Sequence, residues 1–68
     1  MINILDIKVG STLLLREGVV AEVLENMQDG MWLQVKYLEV PNSPDEVSSI
    51  ELCHAQDILN VSDAAEGV

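Results

Sequence analysis

Residues 29–40, with the sequence DGMWLQVKYLEV, decide the fold of this chain. Asp29-Gly30 is typical of a tight hairpin turn, because glycine takes a positive φ without steric cost. After the turn, apolar Leu33, Val35 and Tyr37 alternate with polar side chains. A period of two places alternate residues on opposite faces of a strand, so the pattern predicts a long β-strand with one buried face.

Shorter apolar segments on both sides of this strand show the same kind of pattern. Glu17-Gly18 is a second tight turn, and two prolines within residues 41–46 are incompatible with a central paired strand, so these residues form a loop. One helical turn is predicted over residues 54–57. The pattern thus predicts five strands, over residues 12–16, 19–26, 31–40, 48–53 and 58–61.

These strands predict one all-β domain over residues 1–61, followed by a disordered acidic tail over residues 62–68. The alternation assigns ten residues to the core: Leu13, Leu15, Ala21, Val23, Leu33, Val35, Tyr37, Ile50, Leu52 and Ile58. Residues 19–27 also fit a helix, because Ala, Glu, Leu and Met are good helix formers. The glycine-containing turns at both ends of that segment favour a strand.

Length and composition limit how such a domain is stabilised. A 68-residue chain buries only about 60% of the surface that its unfolded form exposes. Cys53 is the only cysteine and His54 the only histidine, which excludes an intrachain disulfide and opposes a four-ligand zinc site. Hydrophobic residues make up 49% of the chain, and its mean hydropathy is +0.24. This apolar surplus favours self-association.

The charge balance restricts the partners. The chain carries 12 acidic and 3 basic residues, and its formal net charge is −9. Lys8, Arg16 and Lys36 are too few for a basic patch, so no binding to nucleic acid or to an anionic membrane is expected. A basic protein or a cationic small molecule is electrostatically permitted. Alternatively, the acidity only keeps an apolar protein in solution.

The ends of the sequence carry no targeting pattern that we recognise. The first six residues lack the basic region and the long apolar core of a secretory signal. No apolar run approaches the roughly 20 residues that a membrane span requires. Together with the single cysteine, these features predict a cytoplasmic protein.

The order of strands and turns resembles the SH3-like barrels, including the Tudor and KOW modules. The segments that carry the resemblance are Val9-Gly10, Gly18, residues 20–23, Asp29-Gly30 with residues 32–37, and Asp57-Ile58. The resemblance implies a small five-stranded SH3-like barrel with a short helical turn before the last strand. The chain is also similar in texture to small proteins of integron gene cassettes, which are mobile bacterial elements.

The resemblance implies two functions for which this chain lacks the required residues. A KOW-like module that binds nucleic acid needs basic residues, which are scarce here. A Tudor-like cage for methylated lysine needs several clustered aromatic side chains, whereas this chain has only Trp32 and Tyr37.

A second apolar row remains after the core is assigned. The strand alternation places six residues on the outer face: Leu14, Val20, Leu24, Trp32, Leu38 and Val40. Three adjacent strands contribute to it, so we expect a contiguous patch that forms a homo-oligomer, most simply a two-fold dimer. Two alternatives stay open. Trp32 covers the end of the barrel, or the register is wrong and part of this row is core.

The second candidate site is a pocket for a small, possibly cationic, ligand. It would lie between Trp32 and Tyr37 of the third strand and Asp45 and Glu46 of the loop over residues 41–46. No metal-ligand spacing or cofactor motif accompanies these residues, so we expect neither a metal nor a cofactor.

No catalytic constellation is visible. Cys53 and His54 are adjacent on a strand, so their side chains point to opposite faces and do not form a nucleophile–base pair. The sequence therefore predicts a non-enzymatic interaction module that self-associates through the outer face of its sheet.

Overall fold

The computed structural model describes residues 4–62, which form a single sheet of five antiparallel strands. The strands are β1 (Thr12–Leu15), β2 (Val20–Asn26), β3 (Trp32–Glu39), β4 (Ile50–His54) and β5 (Ile58–Ser62). Single 3₁₀ turns lie at Ile4–Asp6, Arg16–Gly18, Pro44–Glu46 and Ala55–Asp57. The all-β prediction is confirmed, and the helical alternative for residues 19–27 is wrong.

The strand order in the sheet is β4-β3-β2-β1-β5. Within residues 4–62, β4 and β5 do not pair with each other, so the sheet is open and closure into a barrel is not observed. The 3₁₀ turn between β4 and β5 is the predicted helical turn. Ser62, which we assigned to the tail, is the last residue of β5, and residues 63–68 lie outside the described part.

The two predicted turns set the register of the hairpins. Gly18 and Gly30 have φ values of 76° and 80°, in the left-handed region that glycine enters most easily. In the second hairpin, an Asp29 carboxylate oxygen accepts the backbone N–H groups of Met31 at 2.8 Å and Trp32 at 3.0 Å. These bonds lower the pKa of Asp29, because they stabilise the ionised carboxylate.

One buried cluster receives side chains from every strand. It contains Leu13, Leu15, Ala21, Val23, Leu33, Val35, Cys53 and Ile58, together with Ile4 and Ile7 from the first 3₁₀ turn and the residue after it. Since residues 4–62 contain no α-helix to cover this face, the sheet must curl around its own side chains. Asn26 fixes the N-terminal segment by donating two hydrogen bonds of 2.9 Å, to the carbonyls of Ile4 and Ile7.

The predicted core is wrong at two positions in β4. Ile50 and Leu52 are 59% and 57% exposed, whereas Cys53 is buried. The cause is the pairing with β3, which places Cys53 opposite buried Leu33 and Leu52 opposite Gln34. Ile50 and Leu52 therefore lie on the outer face of the sheet. Tyr37, also predicted as core, is half-buried against the cluster.

The prediction that Val40 lies on the outer face is wrong, since Val40 is only 8% exposed. A register shift between β2 and β3 pairs Val20 with Glu39 but Ala21 with Tyr37, so Leu38 is the extra residue of a β-bulge. A bulge adds one residue to the alternation, and every residue beyond it changes face. Val40 consequently points inward, after the end of β3.

Candidate interaction surface

The side chains that alternate with the core form the outer face of the sheet. Its apolar members are Leu14, Val20, Leu24, Trp32, Leu38, Ile50 and Leu52. This face includes five of the six residues predicted as an interface, without Val40. It also includes Ile50 and Leu52, for which the sequence pattern predicts a place in the core.

A polar row divides the outer face. Thr12, Glu22 and Lys36 are successive cross-strand partners and form this row, which ends at Ile50 of β4. Opposite charges that face each other across two strands attract each other modestly. Beyond this row, on the side of the first hairpin turn, lie Leu14, Val20 and Leu38, which we name the β2 patch.

The other patch follows the outer side of β4, and we name it the β4 patch: Ile50, Leu52, His54 and Trp32. Ile50, Leu52 and His54 alternate along one strand, so their side chains lie about 7 Å apart on the same face. The ring of His54 packs against Trp32 edge to face, with 4.8 Å between centroids and 87° between planes. The four side chains therefore form one continuous surface.

Exposure distinguishes the two patches. Leu14 and Leu38 of the β2 patch are 41% and 39% exposed, and Val20 is less accessible. In the β4 patch, Ile50 and Leu52 expose more than half of their surface. Contiguous exposed apolar side chains are typical of interaction sites, so the β4 patch is the stronger candidate.

The position of Trp32 is compatible with both roles that the sequence left open. Its 37% exposure leaves part of the indole accessible as an anchor, while its contact with His54 covers one end of the β3–β4 pair. His54 is itself held in place, because its Nδ1 accepts the backbone N–H of Gln56 at 3.1 Å. The aromatic end of the patch is thus partly preorganised for contact.

Cys53 and His54 lie on opposite faces of β4. Cys53 is buried beside the core, and this burial is the main cause that raises the pKa of its thiol to about 11, with a smaller contribution from the charge of Asp57. Its Sγ donates to the backbone oxygen of His54 at 3.5 Å. The imidazole instead contacts Trp32, so the thiol and the ring do not form a catalytic pair in this geometry.

A cleft surrounds Tyr37 beside β4, and Leu52 and Cys53 form part of its wall. Two adjoining depressions of ≈ 230 Å³ and ≈ 190 Å³ share Glu17, Val19 and Tyr37 in their walls. The first also contacts Arg16 and Asp57, and the second is bordered by the loop after β3. We name this feature the Tyr37 cleft.

The Tyr37 cleft carries more negative than positive charge. Glu17, Glu46 and Asp57 line it together with Arg16. The Arg16 guanidinium lies 3.4 Å from an Asp57 carboxylate oxygen. Desolvation is the main cause that raises the pKa of the Tyr37 hydroxyl, and nearby Glu51, Glu46 and Asp57 raise it further. The cleft therefore favours a cation over an anion.

The structure brings together only part of the predicted ligand site. Tyr37 and Glu46 both line the cleft. Trp32 lies on the outer face against His54 instead, and exposed Asp45 is not among the lining residues. Sequence reasoning missed Glu17 and Asp57, which approach Tyr37 only because separate turns meet there.

Across residues 4–62, no group of three or more His, Cys, Asp or Glu side chains is placed to hold a metal ion. In the same part of the chain, no helix has the length and apolar character that crossing a bilayer would require. Comparisons with protein-family models, with curated proteins and with solved structures found no match.

Proposed function

We propose that this chain is a small non-enzymatic interaction module that associates with a second copy of itself through the β4 patch. The observation that carries the proposal is the exposure of Ile50 and Leu52, at 59% and 57%, beside the Trp32–His54 pair. Apolar surface removed from water contributes about 25 cal/mol per Å². Trp is also among the residues that most often dominate interface energies.

As part of this proposal, we take the fold to be an SH3-like small barrel with an open seam. The strand order β4-β3-β2-β1-β5 and the 3₁₀ turn before β5 agree with that architecture. An unpaired seam leaves β4 as a sheet edge, and the exposed apolar patch lies directly beside it. A small domain with a limited core gains stability when a second copy covers such surface.

Charge constrains which surface can associate. Two chains of net charge −9 repel each other, so contact is favoured where carboxylates are few. The four side chains of the β4 patch include no acidic residue, and Glu51 points to the inner side opposite Val35. Association should therefore tighten as added salt screens the repulsion between the remaining carboxylates.

Sedimentation equilibrium over a range of protein concentrations tests the proposal. We expect a reversible dimer of the wild-type chain. Trp32→Ala should weaken it by about tenfold, equivalent to about 1.4 kcal/mol. Leu38→Ala, a truncation of an exposed side chain in the β2 patch, serves as the control and should change the dissociation constant less than about threefold. A strictly monomeric wild-type chain would refute the proposal, and a larger effect of Leu38→Ala would move the interface to the β2 patch.

A second candidate function is the binding of a cationic small molecule in the Tyr37 cleft. The supporting observation is the convergence of Glu17, Glu46 and Asp57 around the half-buried Tyr37. A thermal-shift titration with spermidine tests it, since a ligand that binds only the native state raises the melting temperature. Glu46→Gln should reduce the shift, and Asp45→Asn, which removes the neighbouring charge outside the cleft, should preserve most of it.

A further inference from the structure

We infer that the two copies join edge to edge, with β4 of one chain pairing antiparallel with β4 of the other and Leu52 opposite Leu52. The result is a continuous ten-stranded sheet. This inference rests on the proposed self-association and specifies its geometry. It follows from the hydrogen-bond alternation of β4, from the lack of protection along its edge, and from the charges that each register brings together.

The backbone hydrogen bonds identify which groups of β4 point to the free edge. The Ala55 N–H donates to Met31 O, and the Tyr37 N–H donates to Ser49 O, each at 2.9 Å. In an antiparallel ladder, residues alternate between those bonded to the neighbouring strand and those directed away from it. With an unbroken register between these two bonds, Glu51 and Cys53 are bonded to β3. Ile50, Leu52 and His54 consequently direct their N–H and C=O groups to the open edge.

Glu51 is the one acidic residue of β4, and the strand has no other feature that opposes the approach of another strand. Natural sheets protect their edges with proline, lysine, inward-pointing charges, bulges or very short strands. The five residues of β4 include neither proline nor lysine, and their pairing with β3 has no register shift. The opposite edge differs, because the pairing of β5 with β1 has a bulge at Leu59. An incoming strand therefore meets a regular edge at β4 and an irregular one at β5.

The outward-directed backbone groups of two β4 strands form the most hydrogen bonds when Leu52 lies opposite Leu52. With Leu52 opposite Leu52, Ile50 faces His54 of the second copy, and all three outward residues of each chain form hydrogen-bonded pairs. Each such pair exchanges two bonds, which gives six across the junction. A shift in either direction leaves only two such pairs within β4.

Charge favours the same register. With Leu52 on the two-fold axis, Glu51 lies opposite Cys53 of the second copy. The register centred on Glu51 would place two carboxylates directly opposite each other, which destabilises a strand pair. The favoured arrangement also extends the outer face, because Ile50 of each chain lies beside the partner's His54 and Trp32. The β4 patches of the two chains then merge around the paired Leu52 side chains.

Cross-linking at position 52 tests the register. Hydrogen-bonded antiparallel partners have Cα atoms about 5.5 Å apart, within the range that a disulfide spans. In a buffer containing oxidised glutathione, which is reduced as the two thiols are oxidised, Leu52→Cys should form a covalent dimer at least about tenfold faster than Val9→Cys. Val9 is a suitable control because it is 60% exposed and precedes the sheet. Equal rates would overturn the register.

A proline substitution separates backbone pairing from side-chain contact. Because the Leu52 N–H points away from β3, Leu52→Pro removes an edge donor without removing a bond within the sheet. Leu52→Ala removes the same apolar contact but keeps the donor. We expect Leu52→Pro to weaken the dimer at least about tenfold more than Leu52→Ala, with circular dichroism reporting whether the fold is retained.

The outcomes distinguish the inference from the proposed function. A wild-type dimer with rapid cross-linking at position 52 supports both. A wild-type dimer in which Leu52→Cys reacts no faster than Val9→Cys overturns the edge pairing and leaves self-association standing. If Leu52→Pro does not retain the fold, the cross-linking comparison alone decides the register. A wild-type chain that remains monomeric refutes both.

Discussion

The two faces of the sheet follow the same alternation of residues but have opposite environments. On the inner face, Leu13, Leu33 and Val35 are 0% exposed and contact side chains from the other strands. On the outer face, Ile50 and Leu52 are equally apolar and mostly exposed. Hydrophobicity alone therefore does not determine which residues form the core. The pairing register does, because it decides to which face each alternate side chain belongs.

The inner face stabilises the single chain, whereas the outer face can stabilise an association between chains. Inner-face side chains hold the single chain together, and their truncation leaves a cavity that the surrounding structure fills only partly. Outer-face side chains contribute little to the isolated chain, since water surrounds them in both the folded and the unfolded states. Their free energy is gained when a second surface covers them. The predictions below test this division, from the largest effect to the smallest.

Leu33→Ala should have the largest effect, a loss of about 2–5 kcal/mol in the free energy of unfolding. Urea denaturation, at protein concentrations low enough for the monomer to dominate, measures it. Leu52→Ala is the matched control, because it removes the same atoms from the outer face and should change the value by less than about 0.5 kcal/mol. Similar losses for both variants would contradict the assignment of the two faces.

The inner thiol of Cys53 should react slowly with alkylating reagents. Because its pKa is about 11, against an ordinary value of 9.0, about 100-fold less thiolate is present at pH 8 than for an unperturbed cysteine. Burial adds a further barrier to access. At protein concentrations low enough for the monomer to dominate, iodoacetamide labelling followed by mass spectrometry should show the introduced thiol of Leu52→Cys reacting at least about 100-fold faster than Cys53 in the same chain. Comparable rates at the two positions would mean that β4 is inverted or unfolded.

Ser11→Ala should raise stability by about 1 kcal/mol. Ser11 is fully buried, and its hydroxyl oxygen has no hydrogen-bond partner among residues 4–62. An unpaired buried hydroxyl destabilises the fold, so its removal is favourable. Thermal unfolding measures the change, with Thr12→Ala at the neighbouring exposed position as the control. A decrease in the Ser11→Ala melting temperature would show that the hydroxyl has a partner.

Much of the assignment of residues to the inner and outer faces of the sheet could be predicted from the sequence. Clear alternation in residues 33–37 identified the inner face of β3, and Gly18 and Gly30 marked the hairpin turns that place β2 beside it. These signals are local, because a turn residue and a period of two depend only on neighbours in the chain. Short connections also place β4 beside β3, whereas the pairing of β5 with β1 joins strands far apart in the sequence and has no local signal.

The errors arose where a face depends on pairing between strands. The alternation in residues 50–53 favours Ile50 and Leu52 as the inner pair, because Glu51 is charged, although cysteine is as acceptable in a core as leucine. The phase was decided by the pairing of Cys53 with Leu33, which no local pattern reveals. Val40 was misplaced because a bulge at Leu38 interrupts the count. The Tyr37 cleft was only partly predicted, since Glu17 and Asp57 lie far apart in the sequence.

Sedimentation equilibrium of Ile50→Glu beside Val9→Glu tests the central claim most directly. Ile50 is 59% exposed and Val9 is 60% exposed, so the two variants add the same charge at equally accessible apolar positions. We predict that the wild-type and Val9→Glu chains approach twice the monomer mass of 7.5 kDa at high concentration, whereas Ile50→Glu stays monomeric and folded. Equal dissociation constants for the two variants would contradict self-association through the outer face of β4.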